Sequence, residues 1–104
     1  MSLQDIQQQV HQWTAQFDVP YWQPHEILAR LMEETGELAR EVNHLYGPKR
    51  KKPEEQTREL GEEMGDIIFT LCCLANSKGI KLDEAFQQVM TKYQQRDNSR
   101  FEKK

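Results

Sequence analysis

The sequence from Leu28 to Leu45 reads LARLMEETGELAREVNHL and indicates a long amphipathic helix. Its apolar residues recur at helical spacing and form one stripe: Leu28, Leu31, Leu38, Val42 and Leu45. On a helical wheel Glu34 projects about 60° from the centre of this stripe and Glu37 about 120°. These two acidic side chains therefore lie beside the apolar stripe, whereas most solvated carboxylates lie opposite it.

The sequence from Leu60 to Leu74 repeats this arrangement. Its apolar stripe contains Leu60, Met64, Ile67, Leu71 and Leu74. Glu63 projects about 60° and Asp66 about 130° from the centre of that stripe. If the two helices pack by their stripes, four carboxylates meet along one edge of the contact: Glu34, Glu37, Glu63 and Asp66. Adjacent carboxylates repel each other, and a divalent cation removes that repulsion.

The predicted cation site has only oxygen ligands, and such ligands favour magnesium, manganese or calcium. The residues alone leave the choice among these three ions open. A solvated acidic face is the ordinary explanation for one acidic pair on a helix. Two matching pairs, each with a glycine nearby (Gly36 and Gly65), favour the metal site.

The whole chain predicts an all-α fold. Helical periodicity covers residues 3–17, 24–46, 53–77 and 82–98. Ser2 and Asp5 are spaced as a capping box, and Pro24 suits a first helical turn. No segment alternates with the period of a strand. We therefore expect a four-helix bundle, built as a single domain over residues 1–104.

Length and composition exclude several classes of function. The chain has 104 residues, 30% of them charged, and a net charge of −3, so it lacks the basic character of a nucleic-acid-binding protein. No apolar run reaches the roughly 20 residues of a membrane span. The amino-terminal residues contain no apolar signal core. Cys72 and Cys73 are neighbours on a helix and do not readily bridge, so we expect free thiols and a cytoplasmic protein.

Self-association is expected from the third helix. Phe69 and Cys73 lie on the side away from its apolar stripe, so the helix is apolar nearly all round from Ile67 to Ala75. A four-helix chain of this size cannot cover that surface, which predicts a homo-oligomer. Gly61 and Gly65 would permit close approach of backbones there.

The two acidic segments, Glu33-Glu34-x-x-Glu37 and Glu63-x-x-Asp66, resemble the signature of the MazG-type nucleoside triphosphate pyrophosphohydrolases. The resemblance extends into Glu37-Leu38-Ala39 and Gly65-Asp66-Ile67-Ile68-Phe69. It implies hydrolysis of nucleoside or deoxynucleoside triphosphates to monophosphates and pyrophosphate, in nucleotide-pool cleansing. It also implies Mg²⁺ as the cofactor, with Mn²⁺ as the alternative, and a homodimer or a dimer of dimers.

The resemblance assigns roles to individual residues. The metal ligands of the family fall on the four carboxylates chosen above. Glu33 and Glu62 match motif positions as well, but they point away from the stripes, which suggests supporting hydrogen bonds or contact with another subunit. The basic, phosphate-binding positions of the last helix are similar to Lys92 and Arg96, whose spacing is also typical of ordinary cationic helix ends.

Three questions stay open from the sequence. Trp22 is the candidate for stacking on the base, whereas Trp13 lies on an apolar stripe and is expected in the core. If a carboxylate deprotonates the attacking water, Glu34 or Glu37 is the candidate. A narrow dUTPase-like or deoxycytidine-triphosphate-directed enzyme is one alternative, and a non-catalytic helical module that binds nucleotides or a partner helix is another.

Overall fold

The structure, a computed structural model, describes residues 1–48 and 56–104. It contains four helices: α1 (Leu3–Thr14), α2 (Pro24–Tyr46), α3 (Gln56–Ser77) and α4 (Leu82–Asp97). No strand occurs in the described residues, so the predicted all-α class is confirmed. The predicted start of α3 at Pro53 lies outside these residues. None of the described helices is long and apolar enough to cross a membrane.

Side-chain caps define where α1 and α2 begin. The hydroxyl of Ser2 accepts a hydrogen bond from the backbone of Asp5 at 3.0 Å, and the Asp5 carboxylate accepts one from the backbone of Ser2 at 3.0 Å. Glu26 accepts from the backbone N–H of Gln23 in the same way at 3.0 Å. These bonds satisfy donors that a helix start leaves without partners. The predicted capping box of α1 is therefore confirmed.

α1 ends at Thr14, three residues before the predicted end at Phe17. The backbone N–H of Phe17 donates to the carbonyl of Thr14 at 3.1 Å and turns the chain out of the helix. The loop from residue 15 to residue 23 then leads into α2. Periodicity alone extended the helix because Phe17 falls at a helical spacing from Trp13.

The core forms mainly where α2 packs against α3, and α1 covers part of α3. Its buried apolar residues are Val10, Ile27, Leu45, Cys72 and Ala75. α4 has no buried residue and packs mainly against α1. The Asp83 carboxylate accepts hydrogen bonds from the backbone N–H groups of Leu3 and Gln4, both at 3.1 Å, and so joins the starts of α4 and α1.

The buried faces of α2 and α3 differ from the predicted stripes. Leu28 and Val42 of the α2 stripe are exposed, while Glu34 lies fully buried. In α3, Met64 and Leu71 are likewise exposed. Each helix has apolar residues on two faces, and the helical wheel combined them into one stripe. Only one of the two faces packs inside the chain. Glu34 therefore lies closer to the buried centre than predicted, whereas Glu37 and Asp66 are exposed.

A polar network fixes the loop after α1. The Gln7 amide donates to Asn76 Oδ1 and to the carbonyl of Ile80, both at 2.9 Å. The Asn76 amide donates to the Tyr21 hydroxyl at 3.1 Å, and that hydroxyl also lies 2.6 Å from His11 Nδ1. Tyr21 is thus tied to both α1 and α3, which holds the loop against the helices.

Candidate metal and nucleotide site

Three of the four predicted ligands meet between α2 and α3. Glu34, Glu37 and Glu63 each place a carboxylate oxygen within 4.8 Å of the others. Glu34 and Glu37 share one side of α2 because residues three apart are neighbours on a helix surface. Glu63 faces them from α3. Glu34 is 1% exposed, Glu63 is half-buried and Glu37 is exposed, so the cluster runs from the core to the surface.

Asp66 lies beside this group at an exposed position on α3, outside the set of three residues whose carboxylate oxygens lie within 4.8 Å of one another. Burial is the largest cause of the raised pKa of Glu34, and Arg30 opposes it. Repulsion from Glu37 and from Asp66 raises this pKa further, and a hydrogen bond with the Asp66 carboxyl group contributes least. The four carboxylates thus form one electrostatic unit, and we refer to Glu34, Glu37, Glu63 and Asp66 as the acidic cluster.

Glu63 is perturbed in the same direction. Burial is again the largest cause of its raised pKa, followed by repulsion from Glu37 and a proton shared with that residue. Asp66 and Glu34 add further repulsion. A pair of carboxylates that approach each other this closely favours one proton, or one cation, between them.

Two buried oxygen atoms of the acidic cluster indicate whether a cation fits there. Glu34 Oε2 and Glu63 Oε2 are buried, and no hydrogen-bond donor among the described residues reaches either of them. A buried acceptor without a donor is destabilising, more so when it carries charge. A hard divalent cation would satisfy both oxygens, and the donor set consists only of carboxylates. The residues present therefore fit a hard divalent cation.

Arg30 contacts the cluster and was missed in the sequence. Its Nη2 atom lies 2.8 Å from Glu34 Oε1, and its Nη1 atom lies 3.6 Å from Glu33 Oε2. The spacing of four residues between Arg30 and Glu34 could have predicted this ion pair, because residues four apart are neighbours on a helix surface. Glu33 is exposed, and so is Glu62 on α3, as their helical projections predicted.

A cavity of about 550 Å³ adjoins the acidic cluster. Glu34, Asp66 and Arg30 line one part of it. The aromatic residues that line it are Trp13, Phe17, Tyr21, Trp22 and Phe69. This volume lies within the range of small-molecule sites, and the mixture of aromatic walls with a few charged groups is typical of them.

The two tryptophans both lie on the wall of this cavity. Trp22, the predicted base-stacking residue, lines it from the loop before α2. The prediction that Trp13 belongs to the core is wrong, because this residue is 55% exposed. Its ring meets those of Phe17 and Phe69 edge-on, with centroids 5.0 and 6.0 Å apart. α1 instead buries Val10 and Thr14, so its packed face is rotated away from Trp13.

Lys92 and Arg96 lie apart from this arrangement within one chain. Both cations lie over the ring of Tyr93, at 5.4 and 5.6 Å from its centroid. The Arg96 guanidinium donates two hydrogen bonds to Asp97, at 3.1 and 3.0 Å. Neither cation is among the described residues that line the cavity. Their binding of phosphate stays a prediction.

Comparison with known proteins matches most of the chain. Residues 23–101 match a family model described as the MazG nucleotide pyrophosphohydrolase domain. The protein YpjD of Bacillus subtilis (strain 168) is 48% identical over 103 residues, which is 99% of this chain and 93% of the relative. YvdC of the same organism is 42% identical over 79 residues, which is 69% of this chain and 70% of the relative.

Two crystal structures share the fold. That of YpjD from Bacillus subtilis has a TM-score of 0.83 and 49% identity, covering 89% of this chain and 95% of the other. That of the Bacillus-conserved MazG protein, a nucleotide pyrophosphohydrolase, has a TM-score of 0.82 and 41% identity, covering 95% of this chain and 96% of the other. The family match includes α2 and the described part of α3, and thus the whole acidic cluster.

Proposed function

The chain belongs to the MazG nucleotide pyrophosphohydrolase family, and from that premise we propose that it hydrolyses nucleoside or deoxynucleoside triphosphates to monophosphates and pyrophosphate with a divalent cation. One observation carries this proposal. Two buried carboxylate oxygens, one on Glu34 and one on Glu63, find no hydrogen-bond donor among the described residues, and Glu34 also lines a cavity of nucleoside size. A cation and a nucleotide together would satisfy both features.

The acidic cluster would hold the cation, with Mg²⁺ as the first choice and Mn²⁺ as the second. When bound, such an ion neutralises charge on phosphate oxygens and lowers the pKa of a coordinated water. If a carboxylate takes the proton of the attacking water, Glu34 or Glu37 is the candidate. Attack at the α-phosphorus breaks its bond to the bridging oxygen of the β-phosphate, and pyrophosphate leaves with that oxygen.

The aromatic cavity would bind the nucleoside. Trp22 and Trp13 line its wall and are both exposed, and aromatic rings stack on any base. With the base in the cavity, the polyphosphate would extend toward Glu34 and Asp66, which line the same space. Binding of the nucleoside in this way orients the α-phosphate and excludes water from one side of it.

We also propose that the protein assembles as a homodimer or a dimer of dimers. α2 exposes Leu28 and Met32, and α3 exposes Ile68 and Leu71, so both helices present apolar side chains away from their mutual contact. A second copy would cover them, and Lys92 and Arg96 of its exposed α4 would then be available to bind phosphate. Residues 1–104 would act as one domain of this assembly.

The compartment that we propose is the cytoplasm, where nucleoside triphosphates are made and used. Nucleotide-pool cleansing is the role that fits this activity best. Cys72 and Cys73 are free thiols, as expected from their neighbouring positions on α3.

Pyrophosphate release from a panel of nucleoside and deoxynucleoside triphosphates tests the proposal. We expect release with Mg²⁺ or Mn²⁺ and none with EDTA. Glu37→Gln and Asp66→Asn should abolish it, whereas Glu84→Gln, an exposed acid on α4, serves as the matched control. Release that persists in both cluster variants would contradict the site. Release from dUTP or dCTP alone would indicate a narrow specificity, and no release from any substrate would favour a binding module.

A further inference from the structure

Arg30 lies where the two halves of the proposed site meet. Its guanidinium is 2.8 Å from Glu34 in the acidic cluster, and the same side chain lines the aromatic cavity. Among the described residues that line this cavity, Arg30 is the only cation. A bound nucleotide would place the phosphate nearest its sugar at this boundary.

The ion pair with Glu34 is unequal in burial. The side chain of Glu34 is 2% exposed, whereas that of Arg30 is 51% exposed. Leaving a buried carboxylate without any cation would be strongly destabilising. Arg30 therefore acts as the counter-ion of Glu34 when no metal is present, and it does so from a position open to solvent.

The same contact would change when a divalent cation binds. A cation held by Glu34 takes over the compensation of its charge and repels the guanidinium. Arg30 has a long flexible side chain, and its second contact, 3.6 Å to the exposed Glu33, does not hold it tightly. It can therefore turn toward the cavity without leaving a buried charge uncompensated.

Resting on the proposed function, we propose that Arg30 is an exchangeable substrate-binding residue. It pairs with Glu34 in the metal-free protein and binds the phosphate attached to the nucleoside once a divalent cation holds Glu34. A guanidinium suits this second partner because it offers parallel donors to two phosphate oxygens. Loading of the metal would thereby prepare the cavity for a nucleotide and disfavour nucleotide binding without metal.

Two variants and a control test this exchange. Arg30→Met removes the charge and keeps an apolar stem, Arg30→Lys keeps a point charge without the planar fork, and Arg40→Met removes an exposed arginine from the same helix. Three quantities are measured for each: Tm in EDTA, the rise in Tm with Mn²⁺ alone, and the Kd of an α,β-imido deoxynucleoside triphosphate at saturating Mn²⁺. The imido bridge prevents hydrolysis, so binding is measured without turnover.

For Arg30→Met we expect a lower Tm in EDTA, a larger rise with Mn²⁺ than in the wild type, and a nucleotide Kd increased about 10- to 100-fold. Arg30→Lys should restore the Tm in EDTA but leave the nucleotide Kd increased about 10-fold, since only the fork is lost. Arg40→Met should resemble the wild type in all three quantities. If the Arg30→Met variant cannot be purified, the nucleotide Kd of the Arg30→Lys variant decides the test.

An unchanged nucleotide Kd in Arg30→Lys and Arg30→Met would overturn the proposal and reduce Arg30 to a counter-ion. A smaller rise in Tm with Mn²⁺ in Arg30→Met would also overturn it, because Arg30 would then only position Glu34 for the metal. These failures are distinct from failure of the proposed function, in which the wild type itself binds no nucleotide at saturating Mn²⁺.

Discussion

α2 buries an acidic side chain on one face and exposes an apolar side chain on the other, which is the reverse of the usual distribution in a folded protein. On the face toward α3, Glu34 is 1% exposed, whereas on the opposite face Met32 is 68% exposed. Folded proteins rarely bury a glutamate fully unless it is paired. On the proposals above, a cation would complete the inner face and a second copy of the chain would cover the outer face. The inner face holds more negative charge than Arg30 neutralises, and the outer face holds apolar surface that solvent does not favour.

α3 has the same reversed distribution of acidic and apolar side chains as α2. Glu63 is half-buried toward α2, while Met64, Ile68 and Leu71 are exposed. On the proposed function, a cation would compensate the charge on the inner faces of both helices, and a second copy of the chain would cover their outer faces. These are separate physical requirements, and substitutions can remove each one without the other.

The largest effect is expected from Glu34→Gln on the inner face. We expect turnover to fall at least about 1000-fold, because a ligand of the cation is lost. The Tm in EDTA should not fall, since the amide removes a buried charge and its repulsion. The rise in Tm with Mn²⁺ should disappear in the same variant, as measured by scanning fluorimetry. A Mn²⁺ effect equal to that of the wild type would show that Glu34 does not hold the ion.

The outer faces are tested next by Met32→Glu and Ile68→Glu. Because a two-fold interface repeats each substitution, two buried charges would be added, and the dissociation constant of the assembly should rise at least about 100-fold. Analytical ultracentrifugation measures it, with Gln9→Glu on α1 as a control at an exposed polar position. If neither variant changed the dissociation constant, the interface would not include Met32 or Ile68. A wild type that sediments as a single chain would remove it altogether.

A smaller effect is expected from α4. Lys92→Ala and Arg96→Ala should each raise KM about 10-fold with little change in kcat, as expected for loss of one phosphate contact. Lys103→Ala serves as the control near the carboxyl end of the chain.

A mixture of chains decides from which copy these cations come. If α4 serves the acidic cluster of a partner, refolding Glu34→Gln chains with Arg96→Ala chains creates one intact site in each mixed dimer. Activity at low substrate should then exceed that of either variant alone. No gain on mixing would place Arg96 in the site of its own chain or in no site.

The smallest effect is the pH dependence of the metal-free protein. Glu34 and Glu63 have pKa values raised above 4.5, so the folded chain binds more protons than the unfolded chain between 4.5 and the raised values. Stability contributed by these protons is therefore lost as the pH rises through that window. In EDTA we expect Tm to decline from pH 5 upward, less steeply in Glu34→Gln. Saturating Mn²⁺ should remove most of the decline, and a decline unaffected by Mn²⁺ would argue against a cation at these carboxylates.

Several elements could be predicted because they depend on neighbours in the sequence. The bounds of α2 are those that Pro24 and Gly47 indicate, and the capping box of Ser2 and Asp5 forms as predicted. The meeting of Glu34, Glu37 and Glu63 also follows from spacing, since each lies beside an apolar stripe on helices that pack together. The family could be inferred from the same residues and their order.

Other features depended on which surfaces come into contact. Trp13 and Val10 have similar helical spacing, and only the packing of α1 against α3 buries Val10 and leaves Trp13 on the cavity wall. Arg30 became relevant only when Glu34 proved to be buried, because an exposed pair of this spacing is common and weak. The single-domain extent, the oligomer and the phosphate-binding role of α4 stay predictions.

By itself, the sequence determined the class of fold, the order of the helices and the carboxylates of the cluster, because helical periodicity and caps act over a few residues. Only the tertiary structure decided which of two apolar faces on α2 and α3 becomes the core. Periodicity counts apolar side chains but does not say which surface covers them. That choice buried Glu34, exposed Met32 and formed the aromatic cavity beside the acidic cluster.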